Sequence, residues 1–161
     1  MKAVFAGSFD PFTLGHLSVV IKASQIFDEV TVILAKNDSK KRTFDSIGMA
    51  NVMMKTFEDY DLDNVYTLVY DGLIANYCKE NNIEYLVRGI RNSLDFQYEE
   101  SISAVNKLLN PNLKTIYIPT DDKYKGISSS MVRELLKHDS ELVYDFVPIF
   151  VGNYLLSGED K

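Results

Sequence analysis

Ala3-Val4-Phe5-Ala6-Gly7-Ser8-Phe9-Asp10-Pro11-Phe12-Thr13-Leu14-Gly15-His16 decides the fold. The first four residues are a short apolar run and predict a buried β-strand. After His16 the pattern changes period, with Leu17, Val20, Ile21 and Ser24 on one helical face. Two glycines, a hydroxyl, a proline and a histidine therefore sit where a first strand turns into a first helix. In an open parallel sheet that turn is where ligands bind. A helix N-terminus adds free backbone N–H groups and the positive end of the macrodipole, both suited to phosphate.

Outward from that turn, apolar β-branched runs recur at Val30–Ala35, Val65–Val69, Tyr85–Val87 and Thr115–Ile118. Helical spacing lies between them: Leu17–Ile26, then Ile47, Ala50, Met54 and Phe57, then Leu73, Ile74, Tyr77 and Cys78. Ile102, Val105 and Leu109 follow, stopped by Asn110-Pro111, and Met131, Leu135 and Leu136 mark a fifth helix. Alternation of this kind predicts a single Rossmann-like α/β domain over 1–161, with a five-stranded parallel sheet and helices on both faces. Right-handed crossovers put every strand-to-helix loop on one rim. The polar tail 157–161 is expected to fray.

Composition narrows the classes. A chain of 161 residues with 46% hydrophobic and 25% charged residues buries a real core. The net charge of −6 argues against nucleic acid as the partner. The single cysteine, Cys78, excludes an internal disulfide and a cysteine metal cluster, and reads as a small core residue. No charged-then-apolar leader and no membrane-length apolar run is visible, so a cytoplasmic protein is expected.

An acidic chain that binds anions must gather its cations locally, and four stretches on the rim do so. His16 suits a base, a metal ligand or a phosphate donor. With no serine nucleophile and carboxylate beside it, and with His138 set apart, stabilising transition-state charge on a phosphate is its better role. Lys40-Lys41-Arg42 is a basic run of which at least one member points inward. Arg88 and Arg91 flank Gly89 at a strand end, where a guanidinium grips phosphate with two N–H groups. Ile127-Ser128-Ser129-Ser130 opens a helix. One serine caps it, and three successive hydroxyls and N–H groups make a phosphate cradle. Arg133 in the first turn is unfavourable to the dipole unless an anion is close.

Thr13-x-Gly15-His16 with Ile127-Ser128-Ser129-Ser130-x-x-Arg133 resembles the paired T/HxGH and ISSxxxR signature of the nucleotidyltransferase superfamily. Ser39-Lys40-Lys41, Leu73-Ile74-Ala75-Asn76, Val87-Arg88-Gly89-Ile90-Arg91 and Asp95-Phe96-Gln97-Tyr98-Glu99 extend the resemblance to the phosphopantetheine adenylyltransferase branch over nearly the whole length. The resemblance implies reversible transfer of the adenylyl group of ATP to 4′-phosphopantetheine, giving dephospho-coenzyme A and pyrophosphate, in coenzyme A synthesis. It implies His16, Lys40 and Arg88 as catalytic residues. Ser8, Lys40, Ile74 and Arg88 would hold phosphopantetheine. Ser8, Phe9, His16, Gly89, Ile90, Arg91, Glu99, Tyr124, Lys125, Gly126, Ile127, Ser128, Ser129 and Ser130 would hold ATP. Mg²⁺ would accompany the triphosphate, bound by phosphates and water more than by protein. Coenzyme A as feedback inhibitor and a homohexamer, with Tyr66, Leu68 and Ile102 at interfaces, are also implied.

Three stretches depart from the pattern. Leu14 stands where Asn is usual, Asp45–Met49 replaces a run of Thr, Leu and acids before Arg, and Gly126 replaces an aromatic residue. The alternatives are a sister transferase acting on nicotinamide mononucleotide or glycerol phosphate, a non-catalytic nucleotide-binding module, and a flavodoxin-like carrier. The Arg88–Arg91 and Asp95–Glu99 blocks oppose the first. Retention of His16, Lys40, Arg88 and the serine run opposes the second, and the third has no use for His16.

Overall fold

The computed structural model describes residues 1–36, 41–138 and 141–158. Five strands alternate with helices: β1 (Lys2–Gly7), α1 (Leu14–Ile26), β2 (Glu29–Lys36), α2 (Ser46–Asp59), β3 (Val65–Asp71), α3 (Ile74–Glu80), β4 (Tyr85–Ile90), α4 (Ser93–Leu109) and β5 (Lys114–Pro119). Two further helices, α5 (Ser129–His138) and α6 (Ile149–Ser157), follow, with 3₁₀ turns at Asp122–Tyr124 and Glu141–Asp145.

All pairings are parallel and the strand order is β3-β2-β1-β4-β5. The chain winds outward from β1 through β2 to β3, then returns to lay β4 on the other side of β1. That reversal opens a crevice beyond the carboxyl ends of β1 and β4, the place where such sheets take ligands. β1 itself is buried on both faces, as parallel strands are. Ala3 and Phe5 pack with Leu17, Val20, Val32, Phe57 and Val151, whereas Val4 and Ala6 pack with Ile33, Ala75, Cys78 and Leu86.

Local chemistry fixes the helix starts. Asp45 Oδ2 accepts Gly48 N–H at 2.7 Å, and Asn92 Oδ1 accepts Asp95 N–H at 2.9 Å. Side-chain capping of this kind is worth about 1 kcal/mol per helix. Cys78 is buried in the second cluster, and burial pushes its thiol up to about 11. It behaves as the small hydrophobe expected.

Three expectations change. Arg88, Gly89 and Ile90 belong to β4 rather than to the loop after it, because the β4–β5 ladder runs on to Ile90 opposite Pro119. His138 closes α5 rather than following it, exposed and 3.3 Å from Glu134 Oε1. α6 is an additional helix. It begins after Pro148 and packs on α2, where the Tyr154 hydroxyl fills the place of a side chain at Gly48. Its run Ile149-Phe150-Val151 is apolar on all sides, so periodicity does not reveal it. Among the described residues no helix is long and apolar enough to cross a membrane.

Candidate functional site

A cleft of about 830 Å³ occupies the crevice. Five basic residues (Lys41, Arg42, Arg88, Arg91, Arg133) and three acidic ones (Asp10, Asp95, Glu99) line it, so it is net positive in an acidic chain. Field focusing in such a cleft favours an anionic ligand.

The first turn is built around Phe9. Its φ of 43° lies in the left-handed region, sparsely populated by residues with a Cβ. Burial of its ring holds it there: Phe9 is 2% exposed and meets Phe5, Phe12 and His16 edge-on at 5.3, 5.5 and 5.0 Å. Gly7 makes room for that ring, since a Cβ there would sit 2.9 Å from Phe9 Cζ. Phe9 therefore offers a ligand its backbone and not its side chain.

Thr13 and His16 form a capping box. Thr13 Oγ1 accepts His16 N–H at 3.3 Å, and His16 Nδ1 accepts Thr13 N–H at 3.0 Å. A backbone N–H is always a donor, so Nδ1 is an acceptor and the proton of the neutral ring resides on Nε2. Burial first, then the charges of Arg91 and Arg88, lowers the His16 pKa from 6.5 to about 4. At neutral pH the ring is uncharged, with one fixed donor available to the cleft it lines. It stacks on Phe12 at 5.6 Å. A capping role for the ring is thus compatible with the phosphate role expected from sequence, one nitrogen serving each.

The arginines are held by acids. Arg88 Nε donates to Glu99 Oε2 at 2.6 Å and Nη2 donates to Glu99 Oε1, while Nη1 donates to Ala6 O at 2.7 Å. Arg91 Nε and Nη2 donate to Asp95 at 2.9 and 3.3 Å, and Nη1 reaches Ile127 O at 3.3 Å. Burial raises the Asp95 pKa, but the hydrogen bond and charge of Arg91 outweigh it and leave the carboxyl below its usual range. Arg88 and Glu99, assigned from sequence to different ligands, touch each other. The pairing orients the fork before a ligand arrives.

The serine run joins α5 to the first turn. Ser128 Oγ accepts Met131 N–H at 3.2 Å and is the cap. Ser129 Oγ donates to Pro11 O at 2.8 Å, and Arg133 donates to Asp10 O and, at 3.1 Å, to Ser130 Oγ. Arg133 thus satisfies a carbonyl and a hydroxyl instead of resting uncompensated at a helix start.

Of the residues singled out by sequence, Ser8, Phe9, His16, Ile74, Arg88, Gly89, Arg91, Glu99 and Ile127–Ser130 line the cleft. Ile90, Tyr124, Lys125 and Gly126 do not. Ile90 O accepts Thr120 N–H at 2.9 Å, and Lys125 is exposed beside Asp122. Lys40 lies outside the described residues. From the basic run, Lys41 and Arg42 line the cleft.

The profile of the cytidylyltransferase-like family matches residues 4–135. Phosphopantetheine adenylyltransferase of Borrelia duttonii (strain Ly) is 36% identical over 155 residues, covering 96% of this chain and 94% of that protein. The chain belongs to the phosphopantetheine adenylyltransferases of the cytidylyltransferase-like family. The enzyme of the same name from Cytophaga hutchinsonii (strain ATCC 33406) is 40% identical over 146 residues, covering 91% and 95% of the two chains. Among solved structures, Plasmodium falciparum nicotinic acid mononucleotide adenylyltransferase complexed with NaAD is 16% identical, with a TM-score of 0.72 over 98% of this chain and 95% of that one. It shares the fold.

In this adenylyltransferase, sequence reasoning missed Asp10, Asp95 and the bracing role of Arg42. Asp10 is 8% exposed, and its carboxylate accepts Thr43 N–H at 3.0 Å and Phe44 N–H at 3.0 Å. Asp95 had a readable signal, four residues after Arg91 at a helix start. Asp10 and Arg42 had none, because their partners lie more than thirty residues away in sequence.

Proposed function

We propose that the cleft holds ATP and 4′-phosphopantetheine together and joins them without a covalent enzyme intermediate. A 4′-phosphate oxygen attacks the α-phosphorus of ATP. The new P–O bond forms as the bond to the bridging oxygen breaks, and pyrophosphate leaves with that electron pair, giving dephospho-coenzyme A. Charge gathers on the α-phosphate oxygens, where a preorganised neutral donor is most useful. The observation that carries this reading is the Thr13 N–H on His16 Nδ1, which commits Nε2–H to the cleft.

Ser8 stands at the meeting of the two substrates. Arg88 with Ile74, and Lys40 by family resemblance, receive phosphopantetheine; Arg91 and Ser128–Ser130 receive the triphosphate, and Glu99, assigned to ATP by the same resemblance, also orients Arg88. Mg²⁺ is assigned to the triphosphate, whose charge it neutralises. In support, Asp10, Asp95 and Glu99 are engaged by Thr43, Arg91 and Arg88. A homohexamer is part of the same reading. α4 supports assembly, since it has no buried residue and exposes Leu94, Val105 and Leu108. Coenzyme A carries both substrates' recognition elements and is expected to compete for the cleft.

Pyrophosphate release from ATP with phosphopantetheine, nicotinamide mononucleotide and glycerol phosphate as separate acceptors tests the assignment. Turnover with phosphopantetheine is expected. Release only with another acceptor overturns the substrate, and no release with any overturns the catalytic reading.

A further inference from the structure

Four successive carbonyls of the first turn are each held by a side chain from elsewhere. Arg42 Nη1 donates to Ser8 O and Nη2 to Phe9 O at 3.3 Å. Arg133 donates to Asp10 O, and Ser129 Oγ to Pro11 O. The remaining edge of Arg42 is also used: Nε donates to Phe44 O at 3.1 Å, and Nη2 lies 3.9 Å from Asp10 Oδ1. Asp10 returns the link by accepting Thr43 and Phe44 N–H. One guanidinium thus clamps the turn after β1 to the segment before α2.

The clamp has a consequence for the opposite side of the turn. The Ser8–Phe9 and Phe9–Asp10 peptides are trans, so each N–H points away from its neighbouring C=O. Pulling Ser8 O and Phe9 O onto Arg42 turns Phe9 N–H and Asp10 N–H the other way. Among the described residues neither N–H meets an acceptor. Ser8, Phe9 and Asp10 all line the cleft, so these two N–H groups are available to an anion there. The left-handed Phe9 is costly on its own, and the fork offsets that cost by satisfying the carbonyls on both its sides.

We infer that Arg42 is a positioning residue for capture of the polyphosphate. It does not touch the anion; it holds the Ser8–Asp10 backbone with its N–H groups outward. The inference deepens the reading of the cleft as an adenylyltransferase site and rests on it. A planar fork spans three carbonyls, whereas a lysine ammonium at the end of a flexible stem cannot reproduce that geometry.

The test is binding, which needs no acceptor. Inorganic pyrophosphate and ATP are titrated calorimetrically into wild-type protein, Arg42→Met and Arg42→Lys, and thermal unfolding is followed in parallel. Both variants are expected to bind both anions about tenfold more weakly. Wild-type affinity in Arg42→Met overturns the inference, even with a lowered Tm, because a merely structural residue would give that pattern. Wild-type affinity in Arg42→Lys also overturns it, by showing that charge alone suffices. Should Arg42→Met not fold, Arg42→Lys carries the test. Wild-type protein that binds neither anion overturns the clamp and the ATP site together. Wild-type protein that binds both but releases no pyrophosphate with phosphopantetheine overturns only the acceptor.

Discussion

His16→Gln separates the two tasks of the histidine. In the native turn Nδ1 accepts Thr13 N–H at 3.0 Å while Nε2 carries the proton into the cleft. Glutamine at the third helical position is an ordinary capping-box residue, and its carboxamide oxygen accepts the same N–H. It cannot also place a donor at the far edge of an imidazole. Loss of one transition-state donor is worth about 2.7–4 kcal/mol, or about 10²–10³ in kcat. His16→Ala loses the same donor and leaves Thr13 N–H without its acceptor, for about 1–2 kcal/mol of stability. It also removes the ring contacts to Phe9 and Phe12. Both variants are therefore expected to slow by about 10²–10³ with ATP affinity within about threefold of wild type, and only the alanine variant to lose stability. Pyrophosphate release at saturating substrates, calorimetric ATP titration and urea unfolding read the three quantities. A glutamine variant with wild-type kcat would refute the donor role and leave His16 a cap. ATP affinity falling in step with kcat would refute transition-state selectivity.

Further tests follow from the same geometry. The folded His16 pKa is near 4 and the unfolded value 6.5, so between them the unfolded chain holds more protons. Stability contributed by this site is complete above pH 6.5 and is lost as pH falls towards 4, by roughly 3 kcal/mol at most. Urea unfolding at pH 7 and 4.5 should show a larger loss for wild type than for His16→Gln, and kcat should show no acid limb near 6.5. Gly7→Ala pushes a Cβ to 2.9 Å from the Phe9 ring and is expected to cost about 1–3 kcal/mol by denaturant unfolding. Arg88→Ala strands Glu99, whose side chain is 12% exposed. Adding Glu99→Gln should recover stability without recovering turnover, and a double variant no more stable than Arg88→Ala would show that the pair is not what the arginine stabilises.

The extent to which the site was legible follows from the range of each interaction. Thr13–His16 and Ser128–Met131 bonds close within three residues, so spacing alone marks a cap and a helix start. β1 reads as a strand because it is apolar on both faces. β4 is harder: Arg88 and Gly89 look like a loop, yet Gly89 exists to admit Val19 of α1, whose methyl would lie 2.9 Å from a Cβ there. α6 has no polar face to set a period.

By itself the sequence determined the alternation of strand and helix, and hence one rim of the sheet that carries His16, Arg88 and the serines. Those choices depend on local periodicity and capping, which operate over a few residues. Only the tertiary structure decided which charge meets which. Arg88 is committed to Glu99 and to the carbonyl of Ala6, and Arg42 to the carbonyls of Ser8 and Phe9. The physical reason is that β2 and β4 flank β1, which brings Arg42 and Arg88 from distant stretches of sequence onto the carbonyls at the end of β1 and in the turn after it.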